Sequence, residues 1–139
     1  MRRLLAMILV LLFLLTACGE GGNGGASNPP PNAAENVQEI GQGETVFRLE
    51  VTDNNDTLTV WDVRTNEETV GAALVAVGLI SGDETDFGLM VIEVNGVVAD
   101  WDANQAFWAF HIDGEFAMTG ADATYIESGA TYAFVYTEG

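Results

Sequence analysis

Phe107-Trp108-Ala109-Phe110-His111-Ile112-Asp113-Gly114 decides the fold class of this chain. Aromatic and β-branched side chains crowd the first six positions, a composition that suits a pleated, half-buried strand better than a helix. Asp-Gly then supplies the two residues that tolerate a positive φ, as a two-residue hairpin turn requires. Glu115 to Met118 is read as the returning strand. Side chains alternate across a strand, so Trp108, Phe110 and Ile112 share one face, and Phe107, Ala109, His111 and Asp113 share the other. One face must cover a core. The other is open either to packing or to use as a ligand platform, because flat aromatic area binds ligands at low entropic cost. Which face is which stays open at this level.

Working outward, a second hairpin signal, Asn95-Gly96, joins the Phe87–Val94 run to Val97-Val98-Ala99. Near the end of the chain, Tyr132-Ala133-Phe134-Val135-Tyr136 alternates as a strand does. Upstream, Thr45 to Val51 also alternates, Asp53-Asn54-Asn55-Asp56 reads as a turn, and Thr57 to Val63 reads as the partner strand. Between these groups lies one helical pattern, with Val70, Leu74 and Val77 at near-helical spacing and several alanines among them. Thr65-Asn66-Glu67-Glu68 resembles a capping box, which puts the helix start at Thr65; Gly78 or Gly82 ends it. One helix and several strands predict an α+β domain: a mixed sheet with the helix packed on one face.

The N-terminal third reads differently. Met1-Arg2-Arg3 is a basic leader, and Leu4 to Leu15 is an unbroken apolar run. That run falls short of the roughly 20 residues needed to span a bilayer, but it fits a signal-peptide hydrophobic region. Leu15-Thr16-Ala17-Cys18 follows, and the chain holds no other cysteine. This resembles the bacterial lipobox, which implies acylation of Cys18 and a new N-terminus there. Two acyl chains anchor stably where one does not. The expected organisation is a lipoprotein signal peptide over 1–17, a lipid anchor and flexible Gly/Pro-rich linker over 18–43, and one compact domain over 44–139. The site expected from this reading is the outer side of the cell membrane, held by lipid.

Charge narrows the partners. The 139 residues carry 21 acidic and 4 basic side chains, all four arginines, for a net charge of −17. Loss of Arg2 and Arg3 with the leader would leave two arginines against 21 acids, or −19. Nucleic acid is then a poor partner, since phosphate binding needs clustered Lys and Arg. An anionic membrane surface would repel the mature chain, so lipid must provide membrane contact.

The ordered motifs Ile92-Glu93-Val94-Asn95-Gly96-Val97, Phe107 to Gly114, Thr119-Gly120-Ala121-Asp122, Tyr125-Ile126-Glu127-Ser128-Gly129 and Phe134-Val135-Tyr136 together resemble the small bacterial domain related to the C-terminal domain of transcobalamin and intrinsic factor. More loosely, they resemble the β-grasp group. The Thr69-Val70-Gly71-Ala72-Ala73-Leu74 segment stands where that family has its helix. The resemblance implies a small β-grasp-like domain, a place on cell-surface lipoproteins, and a corrinoid such as cobalamin as soluble ligand. It places the ligand contacts in the strand–turn–strand region, hence at Trp108, Phe110, His111, Phe116, Met118 and Thr119. In transcobalamin the vitamin lies between this domain and a helical barrel, which is expected to be absent from this chain. Its cobalt-reaching histidine belongs to that barrel and is not His111. Gly129-Ala130 replaces the family's usual Gly-Asp, so that aspartate's role is not carried over.

The bland readings weigh against sharper chemistry. A lone histidine is more often structural than a ligand. The pairs Asp53/Asp56, Asp83/Glu84/Asp86 and Asp100/Asp102 lack EF-hand spacing and read as turns or solvated faces. Ser81 and Ser128 sit beside glycines without a nucleophile-elbow motif, and there is no phosphate-binding loop. The expected function is non-catalytic binding of a soluble ligand, with no catalytic residue, no metal and no resident cofactor. The alternative is a cell-surface protein–protein interaction or adhesion module that uses a sheet edge.

Overall fold

The computed structural model describes residues 36–139. Nine strands are present: β1 (Val37–Gly41), β2 (Thr45–Thr52), β3 (Leu58–Thr65), β4 (Ile80–Thr85), β5 (Gly88–Val94), β6 (Val97–Val98), β7 (Ala106–Ile112), β8 (Glu115–Phe116) and β9 (Thr131–Glu138). Two helices, α1 (Val70–Ala76) and the single turn α2 (Trp101–Asn104), and a 3₁₀ turn at Ala121–Ala123 complete the elements. The domain is α+β. Its main sheet has the order β1-β3-β2-β9-β7-β8, and a smaller sheet has the order β4-β5-β6.

Local chemistry accounts for the hairpins. Asp53 closes the β2–β3 turn, its Oδ1 accepting from the N–H of Asn55 at 2.8 Å and of Thr57 at 3.0 Å. Asn95 and Gly96 have φ of 50° and 80°, and Asp113 and Gly114 have 51° and 84°. Positive φ at both central residues is the type I′ geometry, whose twist matches the strands it joins.

Register fixes the faces. Leu49 lies opposite Tyr132, Val51 opposite Phe134, Phe134 opposite Phe110, and Tyr136 opposite Trp108. These residues, with Phe47 and Val63, form the inner face. Val70, Ala73 and Leu74 of α1 pack on it, as do Ile80 and Val94 of the small sheet. The Tyr132 ring is stacked on Phe110 at 6.2 Å and meets Phe47 edge-on at 5.5 Å. The outer face carries Arg48 and Asp62, paired at 3.1 Å, and also Phe107, Ala109 and His111.

Three features differ from the sequence expectation. The helix is capped by Thr69, whose Oγ1 accepts from Ala72 N–H at 3.3 Å. Thr65 is the last residue of β3, paired with Thr45, and its hydroxyl accepts from Glu67 N–H at 2.9 Å. The ladder and this turn occupy the groups a capping box would need. Residues 37–41, within the span expected to be linker, form a parallel edge strand against Val60–Arg64. The ordered domain therefore starts before residue 44. Finally, Trp101–Asn104 forms a helical turn, with Asp100 Oδ1 accepting from the N–H groups of Asp102 and Ala103.

Gly71 shows how α1 is seated. A Cβ there would lie 2.6 Å from the Asp122 backbone, so the helix approaches the 3₁₀ turn as closely as only glycine permits. Val70 N–H donates to Thr124 O at 2.9 Å across the same contact.

Candidate ligand-binding surfaces

The β7–β8 hairpin divides the six expected contact residues by face. Trp108 and Phe110 point inward and are 6% and 7% exposed. The Trp108 indole N–H donates to Val97 O at 3.1 Å, and its ring meets Tyr136 edge-on. Trp108 so ties the main sheet to the small one, and the Phe110 ring packs on Tyr132 and Phe134. Trp108 and Phe110 are core residues, not a platform.

The other four are accessible. His111 is half-buried on the outer face, and its ring meets that of Phe116 edge-on at 5.8 Å. Its Nδ1 lies 3.3 Å from Ala109 O. Phe116 is 60% exposed and Met118 92%. Thr119 Oγ1 lies 3.1 Å from Thr124 Oγ1, which donates to Gly120 O at 2.8 Å.

The segment carrying Met118 and Thr119 is irregular but tied down on three sides. Leu89 N–H donates to Asp122 Oδ2 at 3.2 Å, which joins it to the β4–β5 turn bearing the fully exposed Phe87. Ile126 N–H donates to Glu68 O at 3.0 Å, next to the helix start. The buried Tyr132 hydroxyl accepts from Glu127 N–H at 2.9 Å and donates to Tyr125 O at 3.3 Å. Phe87, Met118 and Tyr125, all largely exposed, are thus carried on loops linked through Asp122 and Tyr132, and the exposed Phe116 of β8 leads into them. Phe87 and Tyr125 were not among the six contact residues expected from the sequence. Only tertiary contact brings their segments together.

A second concave feature lies beside the first half of β7. It is an open cleft of about 360 Å³, with Met90 of β5, Val98 of β6, Trp101 of α2 and Phe107 of β7 among its walls. Asp83 and Asp102 also line it. The Trp101 and Phe107 rings lie 6.3 Å apart at 57°. Their clustering in sequence was legible, but the contributions of Met90 and Val98 were not.

Among the described residues, no group of three or more His, Cys, Asp or Glu side chains is placed to hold an ion. Cys18, the expected lipid attachment point, lies outside the described residues.

The fold and its exposed apolar loops define a small α+β domain of a type found in other proteins. The chain belongs to the DUF4430 family, a domain of unknown function, whose model matches residues 67–138. Among solved structures, it is similar to a Ruminococcus gnavus protein described as a candidate metal-binding protein. The two are 27% identical with a TM-score of 0.65, covering 69% of this chain and 99% of the other. It also shares its fold with part of haptocorrin, crystallised in complex with Cbi, at 16% identity and a TM-score of 0.51. That match covers 67% of this chain and 25% of haptocorrin. No curated protein sequence matches the chain.

Proposed function

We propose that this chain is a lipid-anchored, extracytoplasmic module that binds a soluble ligand without transforming it, a corrinoid such as cobalamin being the first ligand to test. The observation that carries this reading is the set of large apolar side chains left exposed, Phe116 on β8 and Phe87, Met118 and Tyr125 on loops that hydrogen bonds hold in place. Large apolar side chains exposed on a fixed frame suit a binding surface. His111, Phe116, Met118 and Thr119 form the proposed contact set, with Phe87 and Tyr125 added to it. The fold shared with haptocorrin, a protein crystallised with Cbi, supports the choice of probe, and the packing of α1 on a mixed sheet supports the β-grasp likeness. An open surface covers one side of a flat ligand, so a second protein would close the other side. The lipobox-like Leu15-Thr16-Ala17-Cys18 supports the anchor and the location.

Titrating the purified chain with hydroxocobalamin, followed by calorimetry and visible absorption, tests the reading. Saturable heat with a spectral change is expected, together with at least a tenfold loss of affinity in a Phe116→Ala/Met118→Ala double variant. Neither heat nor spectral change at millimolar ligand would overturn it. The second reading, a surface interaction module, draws on the edge strand β1, which ends the main sheet and pairs only with β3 among the described residues.

A further inference from the structure

The geometry of the cleft between the small sheet and the first half of β7 points to a binding site for a small organic cation with an apolar or aromatic body. This cleft is distinct from the surface proposed above. Phe107 and His111 are four residues apart on one strand, about 13 Å at the rise of an antiparallel strand.

Size and lining come first. At about 360 Å³ the cleft suits a compact ligand and is too small to enclose a corrin. Met90, Val98, Trp101 and Phe107 are exposed there, four large apolar side chains converging on one concavity. The helical turn that carries Trp101 is held in position. Asp100 caps the helical turn, Gln105 ends it with a φ of 54°, and Asn104 Nδ2 donates to the Tyr136 hydroxyl at 2.6 Å. An aromatic side chain on a fixed turn needs less ordering when a ligand lands on it.

Charge then selects the ligand. Asp83, Asp100 and Asp102 line the cleft; the Asp100 carboxylate caps α2, and among the described residues no hydrogen bond or ion pair engages the other two. The cationic side chains of the described residues are Arg48 and Arg64, on β2 and β3. With strands about 4.8 Å apart, those strands are two and three places from β7 in the sheet. Arg48 is already paired with Asp62. An anionic ligand would therefore meet two carboxylates with no compensating charge. An ammonium group would meet both carboxylates and the face of Trp101, and cation–π attraction adds to the ion pairs.

The test uses three probes with one shared body: phenethylamine, 2-phenylethanol and phenylacetate. Each is titrated into the full chain and followed by NMR shifts of the Trp101 indole N–H and the Met90 methyl. The amine is expected to bind most tightly and the carboxylate least, with roughly a tenfold or greater gap between them at low salt. The gap should shrink as salt is added. An Asp83→Asn/Asp102→Asn variant, altered only at exposed side chains, should melt as the parent does. It should lose the preference for the amine and keep its affinity for the alcohol. Equal binding of amine and carboxylate, an unchanged preference in the double variant, or no shift with any probe at ten-millimolar concentration would overturn the proposal. Hydroxocobalamin binding is read separately, so failure here leaves the proposed function standing and the converse also holds.

Discussion

Replacing Tyr132 by Phe removes one oxygen atom from the centre of the domain and probes how the loop carrying Tyr125 is held. Tyr132 is fully buried, with its ring against Phe47 and Phe110. Phenylalanine keeps that packing, so the change reports on the hydroxyl alone. The hydroxyl accepts from Glu127 N–H at 2.9 Å and donates to Tyr125 O at 3.3 Å. The first bond is short and part-buried; the second is long. A buried group left without its partner costs about 1–3 kcal/mol. Glu127 and Tyr125 are themselves exposed, so water recovers part of the loss, and about 1–2 kcal/mol is expected. For a domain of this size that corresponds to a fall in Tm of roughly 5–10 °C. In urea the midpoint should drop with an unchanged slope, since the surface exposed on unfolding is the same. Hydrogen exchange should locate the effect, with protection lost first at the Glu127 amide. Tyr136→Phe, which loses only an exposed bond from Asn104, is the control and should cost no more than about 0.5 kcal/mol. A Tyr132→Phe variant within about 0.3 kcal/mol of the parent, or unchanged protection at Glu127, would refute the claim that this hydroxyl holds the loop.

Two further substitutions test the frame around the sites. Gly71→Ala would add about 1 kcal/mol of helix propensity in isolation, yet its Cβ would meet the Asp122 backbone at 2.6 Å. A net loss of about 1–3 kcal/mol in urea unfolding is therefore expected, and a stabilised variant would disprove the close approach. Asp100→Ala removes the cap of α2 and should cost about 1 kcal/mol, with loss of the nuclear Overhauser contacts between the Trp101 and Phe107 rings; retained contacts would show that the cap does not place Trp101.

The legible parts of the fold were those whose cause lies within a few residues. Asn95-Gly96 and Asp113-Gly114 specify their turns because those residues accept positive φ, whatever surrounds them. The β2–β3 hairpin followed from alternation and from Asp53, whose carboxylate closes its own turn. The helix was legible in its spacing but not in its start, because Thr65 and Thr69 are both competent caps. The choice between them depended on whether β3 extends to Thr65 in its ladder with Thr45. Val37-Gln38-Glu39-Ile40-Gly41 carries too little apolar pattern to be recognised as a strand, and it forms one because Val60–Arg64 offers an unpaired edge.

For the candidate surfaces, alternation of aromatic side chains along Phe107–Ile112 and the excess of acid could be read from the residues alone. The sequence could not assign the two faces, because Phe107 and Trp108 are equally apolar and period-two alternation has no sign. Tertiary structure decided that, through the register of β9 between β2 and β7, which turns Trp108 and Phe110 toward the helix and leaves His111 and Phe107 outside. The placing of the small sheet against the main one brought Leu89 to Asp122 and set Met90 and Trp101 on one cleft. Local torsional preference is written residue by residue, whereas burial depends on which distant strand arrives alongside.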